Sequence, residues 1–186
     1  MLPIVLDPKS CRIAVVGRGA PAARRLRGLL EGGATELTVF SDRPDGALTD
    51  LAGARLERRL PDAERLRDFA VVWIVDLDTP TAERLARAAR DVGTLVNVED
   101  VTPLCDFHTP SVVRRGDLLL TVSTGGRSPG LAARVRRRLE RLFGPEWAGR
   151  LDQVGRRRDD WRRQGRRLRD LARLTDDLID RQGWLS

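Results

Sequence analysis

Among its 186 residues the chain has no tyrosine, one methionine, one histidine and a single lysine, Lys9. Aromatic rings make up 4% of it, and only Trp147 and Trp161 lie among the most basic stretches, which is thin for stacking on bases. No nucleic-acid partner is therefore expected. Two cysteines, Cys11 and Cys105, are too few for a disulfide framework or a metal quartet, and no resident metal is expected. No apolar run approaches the roughly 20 residues that a membrane helix requires. Residues 1–7 show no basic region, long apolar stretch or cleavage site, so no secretory signal is read there. Together these absences exclude membrane and disulfide-scaffold classes and point to the cytoplasm.

Arginine is what the chain has instead. Of its 34 basic residues 33 are arginine, and the net charge is +7. Guanidinium forks suit bidentate binding of carboxylate or phosphate, although genome composition alone also produces such a ratio. The most informative stretch is Ile13-Ala-Val-Val16 followed by Gly17-Arg18-Gly19-Ala20-Pro21-Ala22. An apolar run of four, a glycine break and a helical pattern from Pro21 read as strand, tight turn and helix. The spacing G-x-G-x-x-A suits a dinucleotide: Gly17 for the turn, Gly19 for approach of a pyrophosphate, Ala22 for helix–strand packing. Pro21 has no N–H to lose where the first-turn amides face an anion. An ordinary glycine-rich turn has the same spacing.

Leu2 to Leu6 reads as an edge piece before the first strand. Ala22, Leu26, Leu29 and Leu30 share one helical face, and Glu36 to Phe40 forms a second strand. Asp42 then stands 23 residues after Gly19, where a carboxylate binds the adenosine ribose. Arg43 beside it equally suits a 2′-phosphate, and Asp42 also suits a simple turn. Residues 47–68 are irregular and read as one helix and a short strand at 54–60. Ala70 to Val75 is a buried strand, a helix carries Ala82, Leu85, Ala86 and Ala89, and Thr94 to Val98 is a further strand. This alternation predicts an α/β, Rossmann-like parallel sheet with Gly17, Asp42, Asp76 and Asp100 on its carboxyl rim.

The pattern changes after Leu104. A loop carries His108, Asp117 to Val122 is a strand, and Thr124-Gly125-Gly126-Arg127 precedes a helix start at Ser128-Pro129 that suits an anion. Leu131, Val135, Leu139 and Leu142 make an apolar stripe. Residues 134–173 hold fifteen arginines against six acids, and Leu168, Leu171, Leu174 and Leu178 supply an apolar face for a packed C-terminal helix.

Four stretches carry a resemblance: Leu2-Pro3 with the glycine turn, Asn97-Val-Glu-Asp100, Phe107-His-Thr-Pro110, and Ser123-Thr-Gly-Gly-Arg-Ser-Pro129. In this order and spacing the chain resembles the precorrin-2 dehydrogenase / sirohydrochlorin ferrochelatase family, the N-terminal module of siroheme synthase. The resemblance implies an NAD-binding Rossmann domain (1–110), a central region for homodimerisation (111–145) and a helical C-terminal segment (146–186). It implies NAD-dependent oxidation of precorrin-2 to sirohydrochlorin, and in bifunctional members chelation with ferrous or cobaltous ion as substrate. The family's catalytic aspartate falls on Asp100, and its nucleotide contacts fall on Ala20, Pro21, Asp42 and Arg43. Thr124 stands where some members carry a phosphorylated serine. The family's usual three glycines appear here as Gly17-Arg18-Gly19, and His108 replaces a commonly aliphatic residue.

The residues suit that chemistry. Asp100 at a strand end is placed to move a proton, and His108 is a second candidate. Arg114, Arg115 and Arg127, with the arginines from Arg134 onward, suit a polycarboxylate tetrapyrrole. The rival is a non-enzymatic dinucleotide-sensing or nucleic-acid-binding module that uses the arginine-rich helices.

Overall fold

The structure, a computed structural model, describes residues 2–185. It contains two compact units, Met1–His108 and Thr109–Ser186.

In the first unit five parallel strands lie in the order β3-β2-β1-β4-β5. They are β1 (Ile13–Gly17), β2 (Leu37–Phe40), β3 (Leu56–Glu57), β4 (Val71–Val75) and β5 (Leu95–Val98). Every residue of β1 and β4 is buried, as expected for central strands covered on both faces. The helices are α1 (Gly19–Glu31), α2 (Gly46–Ala52), α3 (Ala63–Leu66) and α4 (Thr79–Asp91). Ala14, Val16, Val72, Ile74, Val96 and Val98 pack against Leu85, Ala86 and Ala89 of α4. On the other face Ile13, Val39, Val71 and Trp73 meet Ala22 and Leu26 of α1 and Leu48 of α2. The α/β, Rossmann-like sheet expected from the strand–helix alternation is therefore present.

Three local expectations change. The segment Leu2 to Leu6 forms no strand, and Leu2, Ile4, Val5 and Leu6 are exposed. The irregular stretch after Asp42 holds two short helices rather than one. Asp45 accepts a bond from the Leu48 amide and Asp62 from the Arg65 amide, both at 2.8 Å. Such caps end the orphaned amides of helices too short to show a period. The strand between them is only two residues long.

The second unit opens with an antiparallel hairpin of β6 (Ser111–Arg115) and β7 (Leu118–Val122). Its first strand, with Arg114 and Arg115, was not evident from the sequence. Three helices follow: α5 (Pro129–Leu142), α6 (Trp147–Arg163) and α7 (Leu168–Gln182). Ser128 caps α5 by accepting from the Leu131 amide, as the Ser-Pro pair implied. Leu171 and Leu178 are buried and Leu174 half-buried, but Leu168 is exposed at the first position of α7, outside the packed face. No helix among the described residues is long and apolar enough to cross a membrane.

One contact ties the sheet together at its carboxyl end. A Cβ on Gly17 would stand 2.3 Å from the Val75 carbonyl oxygen, a backbone atom that cannot turn aside. Gly17→Ala therefore forces β1 and β4 apart. A loss of about 1–3 kcal/mol in urea unfolding is expected, the usual range for overpacking; unchanged stability would show that the seam is looser than its geometry.

Candidate functional site

The sheet order reverses between β1 and β4, and the crevice beyond their carboxyl ends is the ligand position of open α/β sheets. Gly17 closes β1. Arg18 follows in extended conformation as the N-cap of α1, and no side chain caps that helix. Gly19 has a φ of +59°, so a side chain there is strained. The opening turn of α1, with Gly19, Ala20 and Pro21, thus presents a bare helix N-terminus beside two side-chain-free positions. These features fit a dinucleotide pyrophosphate.

The Arg18 side chain turns along the rim. Its Nε and Nη2 donate to Asp42 Oδ1 and Oδ2 at 2.8 and 2.6 Å, and its Nη1 lies 3.8 Å from Asp78 Oδ2. Asp42, just past β2, is therefore held by a two-bond fork. This bond holds the Asp42 carboxyl below its ordinary range and raises the guanidinium above its own. Asp78 caps α4, accepting from the Thr81 amide at 3.0 Å, and its hydrogen bonds from Thr81 hold it below the usual carboxylate range. Asp76 adopts a φ of +54°, and its Oδ2 lies 3.5 Å from where a Cβ on Gly19 would stand. Arg18 thus sits among three carboxylates. Arg43 is exposed beside Asp42.

Asp100 lies in the turn after β5 with a φ of +64°, exposed, and its carboxylate accepts no hydrogen bond from the described residues. The turn is held through its neighbour. The Glu99 amide donates to Ile74 O of β4 at 2.9 Å, and Arg25 Nη2 of α1 donates to Glu99 Oε1 at 2.9 Å. The same guanidinium lies 5.9 Å from the centre of the Trp73 ring. The sequence reading missed this Arg25–Glu99 link, because Arg25 lies off the apolar stripe of α1. The placement of Glu99 directly after a buried strand was the only signal.

His108 is half-buried at the end of a tightly held loop. Buried Asn97 donates to Phe107 O at 2.7 Å, and the Phe107 ring meets Trp73 edge-on at 5.0 Å. The Cys105 thiol donates to Val98 O at 3.1 Å, and burial pushes its pKa up. Among the described residues no group of three or more His, Cys, Asp or Glu is placed to hold a metal ion.

In the second unit Arg114 and Arg127 are exposed, whereas Arg115 donates from Nε to Phe143 O at 2.8 Å and so closes the end of α5. Thr124 Oγ1 accepts from the Ser128 amide and donates to the Ser128 carbonyl. Gly125 and Gly126 between them take φ values of +64° and +76°.

Residues 4–111 match the family described as putative NAD(P)-binding, and residues 115–142 match the central region of a sirohaem biosynthesis protein. The chain is 36% identical over 142 residues to the siroheme synthase of Methylococcus capsulatus, covering 75% of this chain and 30% of that one. To the siroheme synthase of Nitrosomonas europaea it is 36% identical over 169 residues, covering 88% and 35%. The chain spans about a third of the length of the curated relatives it matches. A solved structure titled SirC, precorrin-2 dehydrogenase, superposes with a TM-score of 0.78 over all of this chain and 93% of that one. At 24% identity this likeness establishes the fold.

The left-handed backbone at Asp100 can be tested apart from chemistry. Asp100→Gly should be more stable than Asp100→Ala by about 1 kcal/mol in urea unfolding, since alanine carries the Cβ clash that glycine lacks. Equal stabilities would mean that the turn relaxes to an ordinary conformation.

Proposed function

The chain belongs to the family of the siroheme-synthase N-terminal module, and on that premise we propose that it oxidises precorrin-2 to sirohydrochlorin with NAD. The observation that carries this reading is the uncapped glycine turn of α1, with Asp42 beyond β2 and Asp100 beyond β5 on the same rim. The residues that hold the dinucleotide are Gly17, Arg18, Gly19, Ala20 and Pro21 at the turn, with Asp42 and Arg43 at the ribose. When bound, the cofactor accepts a hydride from the tetrapyrrole. Loss of the accompanying proton needs a base, and Asp100 supplies it: exposed and accepting no hydrogen bond from the described residues, its carboxylate has its lone pairs available. His108 is the second proton carrier, held at the end of the Asn97-anchored loop.

The carboxylates of the substrate are met by Arg114, Arg127 and the glycine pair Gly125-Gly126, with Thr124 shaping that turn. Arg115 serves this site indirectly, since its guanidinium is committed to α5. Trp147 is half-buried and packs against Phe143 and Trp184 with Arg150 over its ring, which leaves little of its face for stacking on nucleic-acid bases. The unpaired thiols Cys11 and Cys105 suit the reducing cytoplasm. Ferrous or cobaltous ion enters as a second substrate if the chain also chelates.

Residues 111–145 are the dimerisation region and 146–186 the helical segment. Leu131, Val135 and Leu142 of α5 are exposed, and a twofold pair would shelter them. Light scattering at micromolar concentration should give twice the 20.8 kDa chain mass; the single mass would remove the dimer from this reading.

Oxidation is tested by incubating the protein with precorrin-2 and NAD, with and without the metal ions, and following absorbance. Asp100→Asn keeps the shape of the side chain and removes its basicity. It should slow oxidation by roughly 10²–10⁴-fold with NAD affinity unchanged, while His108→Ala has the smaller effect. Near-unaltered turnover by Asp100→Asn would reassign the base.

A further inference from the structure

We propose that Arg18 is a positioning residue for the nucleotide, holding the Asp42 carboxylate so that an oxygen lone pair left free on its outer flank accepts the adenosine ribose 2′-hydroxyl, and that this assembly selects a 2′-hydroxyl over a 2′-phosphate. The proposal rests on the dinucleotide reading of the glycine turn. It concerns the residue that interrupts the glycines, where the backbone needs no side chain.

The geometry is specific to a guanidinium. Two nearly parallel N–H···O bonds of 2.8 and 2.6 Å fix both the plane and the rotation of the Asp42 carboxylate. An ionised carboxylate has about four lone-pair directions, and the fork occupies two. The remaining two lie on the outer flanks of the two oxygens and point apart, so one of them accepts a single donor, the ribose 2′-hydroxyl. The Arg18 side chain is itself 18% exposed, confined on its other side by Asp78 at 3.8 Å, so the fork has little freedom to swing. An exposed aspartate without such a partner would sample several rotamers and meet the hydroxyl less often.

The charge around the fork sets the preference. Asp42, Asp76 and Asp78 all act on Arg18, and Arg43 is the other cation beside Asp42. Three carboxylates face two guanidiniums. A 2′-phosphate would bring close to two further negative charges to this rim, and Arg18 is already shared among the carboxylates. A neutral hydroxyl meets only an acceptor.

Calorimetric titration of NAD and NADP into the unsubstituted protein, Arg18→Ala, Arg18→Lys, Asp42→Ala and the double alanine variant tests this. Circular dichroism melting of each variant reads its folding. If Arg18 acts through Asp42, Arg18→Ala weakens NAD about 10-fold, the scale of one charge-assisted bond. Lysine, which keeps the charge and loses the fork, restores little of that loss. The double variant then binds NAD no worse than Asp42→Ala alone, because the two side chains form one unit. Asp42→Ala also narrows the gap between NAD and NADP. In Arg18→Ala the Asp42 carboxyl returns toward its ordinary range, so NAD affinity starts to fall at a higher pH on acidification than in the unsubstituted protein. Additive losses, or full rescue by lysine, would mean that the guanidinium contacts the diphosphate directly and would overturn the positioning role while leaving NAD binding intact. Failure of the unsubstituted protein to bind NAD would overturn the dinucleotide reading and this role with it.

Discussion

The close approach of β1 to β4 at Gly17 is the constraint on which the rim depends. With no side chain at Gly17, the Val75 carbonyl lies directly against it, and the Arg18 amide reaches the same oxygen at 3.4 Å. That contact brings the end of β1, the start of α1 and the turn after β4 to one point. Asp78 on one side and Arg18 on the other then lie 3.8 Å apart, with Asp76 acting on the guanidinium from farther off. The sheet reverses its order at this seam, so the crevice and the charges coincide because both follow from a single backbone approach.

Charge at the rim is arranged by reach. Arg18 has two carboxylates within 4 Å and makes its fork with Asp42, the one approached at hydrogen-bonding distance by two nitrogens. Asp78 is turned toward Thr81 by its duty as cap of α4 and offers Arg18 only the longer contact. Helix capping and the Arg18 fork therefore divide two aspartates that look alike in sequence. Elsewhere the abundant arginines serve the fold: Arg65 joins Glu57 and Asp68 and lies over Phe40 and Phe69, and Arg90 holds Asp106. Half-exposed pairs of this kind contribute little each to stability, and their effect is to fix loop geometry.

Much of the first unit was legible in the sequence because its strands are continuous apolar runs bounded by glycine or aspartate. Ile13 to Val16 and Val71 to Val75 allow little else, and α4 declares itself by Asp78, Pro80 and its spaced alanines and leucine. The ends of these strands placed Asp42, Asp76 and Asp100 on one rim. Features decided by pairing were hidden. Strand β6, Ser111–Arg115, carries two arginines and becomes a strand by bonding to β7. The segment Leu2 to Leu6 is apolar enough for an edge strand yet has no partner in the sheet. The Arg18–Asp42 fork joins residues 24 positions apart, and no periodicity encodes which way a long side chain turns.

The turn after β5 shows why neighbouring acids there are not interchangeable. At a φ of +64° position 100 admits glycine, asparagine or aspartate with least strain, and of these only aspartate carries a carboxylate. Glutamate at the same position would bring a bulkier side chain to a left-handed backbone. At position 99 the requirement is reversed: the carboxyl must cross to Arg25 on α1, and the longer side chain supplies that reach. Holding Glu99 between β4 and α1 fixes the backbone from which Asp100 projects, while the Asp100 carboxylate accepts no hydrogen bond from the described residues. That combination, a rigid origin and an uncommitted oxygen, is what the proposed proton-accepting role asks of Asp100. The order glutamate then aspartate delivers it, where the reverse order would tether the wrong carboxylate and strain the other.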